Sequence, residues 1–522
     1  PPYKNKKPPW KSGVVFWYNY VMNSNLNIHN NYTTKQLRLP LDLEIKIPFD
    51  SEVRTFDEVF KRLKLERYLI SQKDNRGRVG YNPVKMLKLV LFCQMEKIQS
   101  LRAMEKAAKN DIRIMWLTDE MKPSHQAIKN FLDSYLVKNI EDIFYEITNF
   151  LITEEKIDTE KLYIDGTKIE SMANKYTFVW RGSVEKFQIK LYKKISKYLE
   201  SLNQRYELEN IYFPIYTEYN VDYLSKVHQF INDQVKRSNI TFTYGKGNRK
   251  TALQRDFEKI DEYLSKLIEY ENHLKIMGTN RNSYSKTDHD ATFMRMKEDY
   301  MKNDQLKPGY NIQIGISDEY IIHLDIFNDR NDYKTLIPFL EGYYKRYNKY
   351  PKYPVADAGY GGLTNYRYLK TNDMELYQKY NMYVKDTTDK KRVNDYYNGL
   401  NIKTDEDGDF ISKTGSKLEY IYTRKNGSQV YYIKEENRTV DLNKENISYQ
   451  KEVINNLQSD LGIELRIQRS IQAEGAFGVI KDPFKTRRFR RRGTQNVRLE
   501  FFLVAIGYNL SKYHNKKYRI IN

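Results

Sequence analysis

The chain has 522 residues, 30% of them charged and 14% aromatic, which suits about three packed domains and excludes a disordered acidic or low-complexity chain. Its formal net charge is +20, and so basic a chain points to a polyanion, because each Lys or Arg set against a phosphate releases condensed counterions. Cys93 is the single cysteine and the seven histidines lack HxxxH or HxxEH spacing, which excludes an internal disulfide and a multi-cysteine or histidine-based zinc site; no apolar run reaches the roughly 18 residues of a membrane span.

Residues 1–50 read as an N-terminal tail. Its basic, Pro-rich start, PPYKNKKPPWKSG, precedes no apolar signal core. Residues 1–21 are expected to be a tail, or an artefact of an assumed translation start, since Met22 follows. Residues 51–158 read as helical throughout: Phe56, Val59, Phe60, Leu63 and Leu65 recur near helical spacing. Asn82-Pro83 opens a second helix with Pro at its first position. The run VKMLKLVLFCQM is apolar enough to be buried, with Cys93 as a small core residue. Ser100 and Ser124 stand where they can cap two more helices. Short helices joined by tight turns, with Lys and Arg on polar faces, predict either a helix-turn-helix-like DNA-binding domain or a plain bundle packed on the next domain.

Residues 159–182 hold a first core strand, KLYIDG (161–166), ending in Asp165. Residues 183–285 read as a helical insertion. Leu253, Phe257, Ile260, Leu264 and Leu267 alternate four and three apart, and Phe187, Leu191, Ile195, Leu199 and Leu202 make a matching face; together they predict an antiparallel helical hairpin. Over 286–384, YNIQIGI (310–316) and YIIHLDIF (320–327) predict a β-hairpin around Ser317-Asp318-Glu319. A helix over 333–347, a strand in PVADAGYGG containing Asp357, a helix over 364–370 and a strand in MELYQKYNMYV (374–384) come next. Residues 385–455 read as a small β-rich insertion. Residues 456–522 carry a helix with Glu474, an Arg-rich segment and a last helix over 497–512. The order strand, strand, strand, helix, strand, helix, strand predicts an α/β fold: an RNase H-like mixed-sheet catalytic core with an all-α N-terminal domain, a helical-hairpin insertion and a small β-rich insertion.

Asp165 and Asp357 then end neighbouring strands and project from one sheet edge, with Glu474 on a later helix facing them. A lone Asp-Gly is most often a turn. Three carboxylates gathered at one place repel each other unless a cation is present, and such a set suits Mg²⁺, which prefers oxygen ligands. The glycines after Asp165 and Asp357 are expected to leave room for a phosphate chain. Lys481 lies two helical turns beyond Glu474, where it could hold a phosphate or be an idle surface residue. The segment RRFRRRG sets Arg487, Arg488, Arg490, Arg491 and Arg492 around Phe489, a phosphate-binding patch or otherwise a solvated face. Trp180, in YTFVW, could stack on a frayed base, or be a core residue as tryptophans more often are.

At these residues the chain resembles the DDE transposases of bacterial insertion sequences whose helical N-terminal segment precedes an RNase H-like core. The similarity lies in GYNPVKMLKLVLFCQMEKIQSLRAMEKAAKNDIRIMWLTDEMKPSHQAIKNFL, YIDGTKIESMANKYTFVWRG, TDHDATFMRMKEDYMKNDQLKPGYNIQIGIS, VADAGYGGLTNYRYL and IQAEGAFGVIKDPFKTRRFRRRGTQNVRLEFFLVAIGYNLSK, between about residues 79 and 513. The resemblance implies that Asp165, Asp357 and Glu474 form a catalytic triad holding two Mg²⁺ ions, for which Mn²⁺ can substitute. It implies cutting at the element's terminal inverted repeats and joining of the released 3′-OH to target DNA. It also implies a homodimer or larger assembly when two ends are synapsed, no membrane partner, and a cytoplasmic, nucleoid-associated location. Lys481 matches the Lys that follows the catalytic Glu in related enzymes. In some relatives a Tyr and an Arg precede that Glu at fixed distances; here Ile467 and Ser470 occupy those places, with Arg466 and Arg469 nearby. His289 stands where Pro is expected in the TDxDA segment. Two alternatives remain: a domesticated or decayed transposase that only binds DNA, and another RNase H-like nuclease.

Overall fold

The computed structural model describes residues 43–69, 80–245, 247, 249–279, 281–296 and 305–519. The tail expected over 1–50 lies mostly outside them. Six helices come first: α1 (Glu52–Arg62), α2 (Pro83–Met95), α3 (Leu101–Asn110), α4 (Ile112–Thr118), α5 (His125–Phe131) and α6 (Val137–Glu155). The α2 start is the one read from sequence: the Asn82 side chain accepts from the Val84 and Lys85 N–H groups, with Pro83 at the first helical position. Ser124 caps α5 by accepting from the Ala127 N–H. Ser100 stands at the N-cap of α3 but makes no side-chain capping bond. Cys93 is fully buried in α2, and burial pushes its thiol well above the usual range.

A short two-stranded ribbon, β2 (Phe178–Trp180) with β3 (Ser283–Ser285), accompanies a six-stranded mixed sheet. The sheet holds β1 (Lys161–Glu170), β4 (Thr292–Arg295), β5 (Leu306–Ser317), β6 (Tyr320–Phe327), β7 (Tyr353–Ala356) and β8 (Tyr377–Gln378). β5 is antiparallel to β1 on one side and to β4 and β6 on the other, while β7 runs parallel to β1 and β8 parallel to β7. Helix α10 (Leu336–Tyr347) connects β6 to β7, and α11 (Leu363–Thr371) connects β7 to β8. The β1–β7 register brings two carboxylates together. Lys161, Leu162 and Tyr163 pair with Tyr353, Pro354 and Val355; the same step carried two residues on sets Asp165 beside Asp357.

Two insertions interrupt the sheet. The helical one holds three helices, α7 (Arg181–Arg205), α8 (Val221–Arg237) and α9 (Ala252–Met277), not the two of the expected hairpin. Leu191, Ile195, Leu199 and Leu202 of α7 and Ile260 and Leu267 of α9 share a core with Leu224, Val227 and Ile231 of α8. Phe187, assigned to that seam from its spacing, is exposed instead. The second insertion is β-rich as expected: β9 (Glu419–Thr423), β10 (Gln429–Ile433) and β11 (Arg438–Leu442) form an antiparallel sheet over a core of their own. The strand expected over 374–384 shrinks to β8, and Tyr383–Thr388 is a helix, α12. Tyr377, Tyr380 and Tyr383 are all buried, and a spacing of three suits a turning chain better than the alternation of a strand. Helix α13 (Lys390–Val393) follows it.

After α14 (Lys444–Gln458), α15 (Asp460–Arg469) and α16 (Gly475–Lys481), the last helix, α17 (Thr494–Arg519), runs through the middle of the molecule. It packs on α2, α6 and β6. Val497, Leu499, Phe501, Phe502, Val504, Ala505, Ile506 and Leu510 are all buried, and a helix apolar on every side belongs in a core. A single apolar cluster continues from α1–α6 through α17 into the sheet. The helices over 51–158 are therefore fused to the sheet rather than hung from it. Closest approach is at Gly507, where a Cβ would stand 2.5 Å from the Gln94 carbonyl oxygen of α2. Gly507→Ala is expected to cost about 1–3 kcal/mol by forcing the two backbones apart. Gly182→Ala, where a Cβ meets nothing within 4 Å, should change stability by less than about 1 kcal/mol. Denaturant melts of both variants against the parent check this, and equal melts would show that the α2–α17 contact yields freely.

Candidate active site

A cleft of about 560 Å³ opens where β1 and β7 end, and Asp165, Asp332, Asp357, Arg469, Glu474 and Lys481 line it. The three carboxylates singled out from sequence thus share one cavity. Asp165 lies within β1 opposite Ile314 of β5, and Asp357 follows the last residue of β7. Asp165 Oδ1 accepts from the Gly166 N–H at 2.9 Å within the strand, and Asp357 Oδ1 from the Gly359 N–H at 2.8 Å in the turn after β7. The turn reading therefore holds for Asp357 but not for Asp165, whose strand continues to Glu170.

One guanidinium joins them. Arg469 Nη2 lies 2.9 Å from Asp165 Oδ1 and 3.9 Å from Asp357 Oδ2, with the Arg side chain only 16% exposed. Two like charges at neighbouring strand ends need such a counter-charge. The Arg469 Nε is buried without a hydrogen-bond partner in the structure.

Sequence counting missed Arg469 for a structural reason. Counted back from Glu474 along a straight α-helix, the expected Arg position is Ser470 and the expected Tyr position is Ile467. Yet Ser470–Glu474 is a π-turn, which absorbs one extra residue and rotates everything before it by one position. Arg469 therefore comes to the cleft with Glu474, while Ile467 faces solvent. The Gln472 side chain accepts from the Glu319 N–H at 2.9 Å and fastens the π-turn to the β5–β6 hairpin. Beyond it, Glu474, Phe477, Gly478 and Lys481 line the cleft at helical spacing.

The glycines serve packing, not an approaching phosphate as expected. A Cβ at Gly166 would sit 2.3 Å from Gln313 Nε2, one at Gly361 would sit 2.0 Å from the Lys379 carbonyl oxygen, and one at Gly362 would meet the Tyr333 ring at 2.7 Å. Gln313 accepts from the Tyr360 hydroxyl. That phenol is held well above its usual range, first by burial and then by the charges of Asp332, Asp165 and Asp357.

The donor set is all oxygen, which fits Mg²⁺ or Mn²⁺ rather than zinc. Among the described residues no three His, Cys, Asp or Glu side chains gather closely enough to hold a metal as they stand. Arg469 stands against both Asp165 and Asp357.

The Arg-rich segment is tied into the molecule. Arg488 donates to the Ser171 and Ala173 carbonyls, Arg492 to the Met172 carbonyl, Arg491 to Asp133, Arg490 to Gln99, and Arg487 to Asp482. Phe489 is buried. Buried Glu500 accepts from the Arg490 and Arg491 backbone N–H groups. In the TDHDA segment, Asp288 accepts from the Ser171 and Tyr310 hydroxyls and the Gly493 N–H, and Asp290 accepts from the Thr494 N–H at the start of α17. Arg487 and Lys481 line the cleft. Arg490, Arg491 and Arg492 line a second cleft of about 1150 Å³, with Arg102 and Lys129 among its other walls. Trp180 stands apart, half-buried with its ring 5.8 Å from Phe178 and 6.1 Å from Phe293.

Removing the bridge tests its weight. Arg469→Met should cost about 1–3 kcal/mol at neutral pH, the scale of hydrogen bonds to charged groups. Adding Asp165→Asn should return part of that loss, because it removes one of the stranded charges. Denaturant melts of the four members of this cycle measure the coupling, and strictly additive losses would mean that Arg469 and Asp165 do not depend on each other.

Two protein-family models match the chain. A transposase domain (DUF772) matches residues 41–134, and a transposase DDE domain matches residues 424–514. The second match holds Glu474, Lys481 and the Arg-rich segment, whereas Asp165 and Asp357 lie outside both. Neither the curated proteins nor the solved structures gave a match. The two matched segments pack on each other through α2 and α17. Both matches are to transposase families, and together they are consistent with a DDE-type transposase of an insertion sequence.

Proposed function

We propose that this protein cuts the ends of its insertion sequence and joins them to target DNA, using Asp165, Asp357 and Glu474 as the catalytic carboxylates. The observation that carries the reading is the convergence of these three side chains, with Arg469 and Lys481, on one cleft beside the adjacent parallel strands β1 and β7. The sheet order β6-β5-β1-β7-β8, with β5 antiparallel to β1 and β7 and β8 parallel to it, supports an RNase H-like core. The domain division read from sequence is proposed with it.

Asp165, Asp357 and Glu474 would hold divalent cations, which when bound supply a nucleophilic oxygen at neutral pH and stabilise charge on the phosphorane. The chain's own groups do the rest. Asp165 and Asp357 are positioned by backbone N–H groups and by strand pairing, so little reorganisation is needed at the reacting phosphate. Arg469 lines the cleft beside them and supplies positive charge toward the phosphate. Lys481 and Arg487 line the wall along which the next phosphates lie, and Arg suits their bidentate geometry. The second cleft, with Arg102 and Lys129 facing Arg490 and Arg492, is an electrostatic seat for the duplex. Trp180 is assigned to packing. Synapsis of two ends requires at least two active sites, hence a dimer or larger assembly on DNA.

The test uses labelled DNA carrying the element's own end, incubated with the protein and Mg²⁺, Mn²⁺ or EDTA. Nicking at the end, with joined products, is expected only with metal. Asp357→Asn should slow it on the order of a thousandfold or more, as removal of one member of a catalytic unit does. Binding without cutting in any metal would identify a DNA-binding relic. Cutting without preference for the end would identify a general nuclease.

A further inference from the structure

Sequence motifs gave no role to Asp332. It stands at the start of the short turn leading into α10, just after β6, and it lines the same cleft as Asp165, Asp357 and Glu474. Its Oδ1 accepts from Asn311 Nδ2 at 2.7 Å and from Gln313 Nε2 at 3.1 Å. Both amides belong to β5 and are completely buried, so this oxygen is fixed. The other oxygen faces Gly359, where a Cβ would lie 3.7 Å from Asp332 Oδ2 and 3.0 Å from Asp357 Oδ1. The two carboxylates thus border the same glycine. No Lys, Arg or His among the described residues pairs with Asp332, and Arg469 serves Asp165 and Asp357.

A plain structural duty does not account for this arrangement. Two buried amide donors need an acceptor, but a neutral one suffices, and an Asn or Gln oxygen costs far less to hold beside two aspartates. A negative charge without an ion-pair partner, lining the same cleft as three other carboxylates and bordering the same glycine as Asp357, is explained by a cation that the two share. We infer that Asp332 is a fourth carboxylate of this site, held in place by Asn311 and Gln313 and sharing a divalent cation with Asp357. The inference rests on the proposed metal-dependent function and adds to its three carboxylates. Gln313 then ties both halves together, for it also accepts from Tyr360 and fills the space over Gly166 beside Asp165.

Mn²⁺ binding to the full chain, followed by electron paramagnetic resonance without DNA, separates the possibilities. Asp332→Asn keeps an acceptor for the two amides and removes only the charge. It should retain the parent's melting temperature and weaken Mn²⁺ binding by about tenfold or more, the scale of a lost coordinating or supporting group. Asp332→Glu should recover part of the affinity, and Asp332→Ser stands in should the asparagine variant not fold. Parent-like Mn²⁺ affinity in Asp332→Asn, beside a clear loss in Asp357→Asn, would overturn the inference and leave the site intact. No loss in either variant would overturn the metal reading itself, and the inference with it.

Discussion

The parallel pairing of β1 with β7 places two carboxylates side by side, and the rest of the site is arranged around that repulsion. The β1–β7 register carried two residues past Tyr163 and Val355 sets Asp165 beside Asp357, and Asp165 is held within β1 by its pairing with β5. The charge has to be met in place, which Arg469 does from a third element. Arg469 reaches it because the helix that carries it is displaced by a π-turn, and the π-turn is in turn fastened by Gln472 to the β5–β6 hairpin. The counter-charge for two neighbouring carboxylates is thus delivered by way of a helical irregularity more than a hundred residues away in sequence.

How legible each part is in the sequence depends on how local its signal is. β5, β6 and α10 announce themselves by alternation, a polar turn and an amphipathic face within a dozen residues, and they stand within a few residues of where those patterns put them. Asp165 and Asp357 are legible because each lies in or directly after an apolar strand run, although β1 continues to Glu170 instead of ending at Asp165 as its Asp-Gly pair suggests. Arg469 is not, since a π-turn has no composition of its own and one residue of slippage moves a side chain by a quarter turn or more. Asp332 is not, because nothing in FNDRNDYK distinguishes a carboxylate in a cleft from one in a capping turn. Helix α8 shows the opposite fault: Leu224, Val227, Ile231 and Val235 carry a plain helical period, but the two seams on either side of it already satisfy each other by spacing alone.

The glycines show how a right position can carry a wrong reason. By sequence, Gly166, Gly361 and Gly362 promise open ground beside two aspartates, yet Gln313, the Lys379 carbonyl and the Tyr333 ring fill that ground. Their smallness lets β5 and the α11 start close over the carboxylates from behind, which orients Asp165 and Asp357 toward the cleft. The opposite wall of the cleft is formed by α16 and the segment after it.

That segment also corrects the picture of a freely solvated basic patch. Arg488 and Arg492 are spent on the carbonyls of Ser171, Ala173 and Met172, directly beyond the end of β1, and Asp288 closes the same junction through Ser171, Tyr310 and Gly493. A guanidinium has five donors and these bonds use one or two, so the outward edge of each stays available to a phosphate while the inward edge is anchored. Anchoring matters because a loose arginine gives up side-chain entropy on binding and one already held does not. The strand that carries Asp165, the basic segment and the central helix α17 therefore meet in one hydrogen-bonded junction, and any load borne by those arginines is delivered to the strand that positions the first carboxylate.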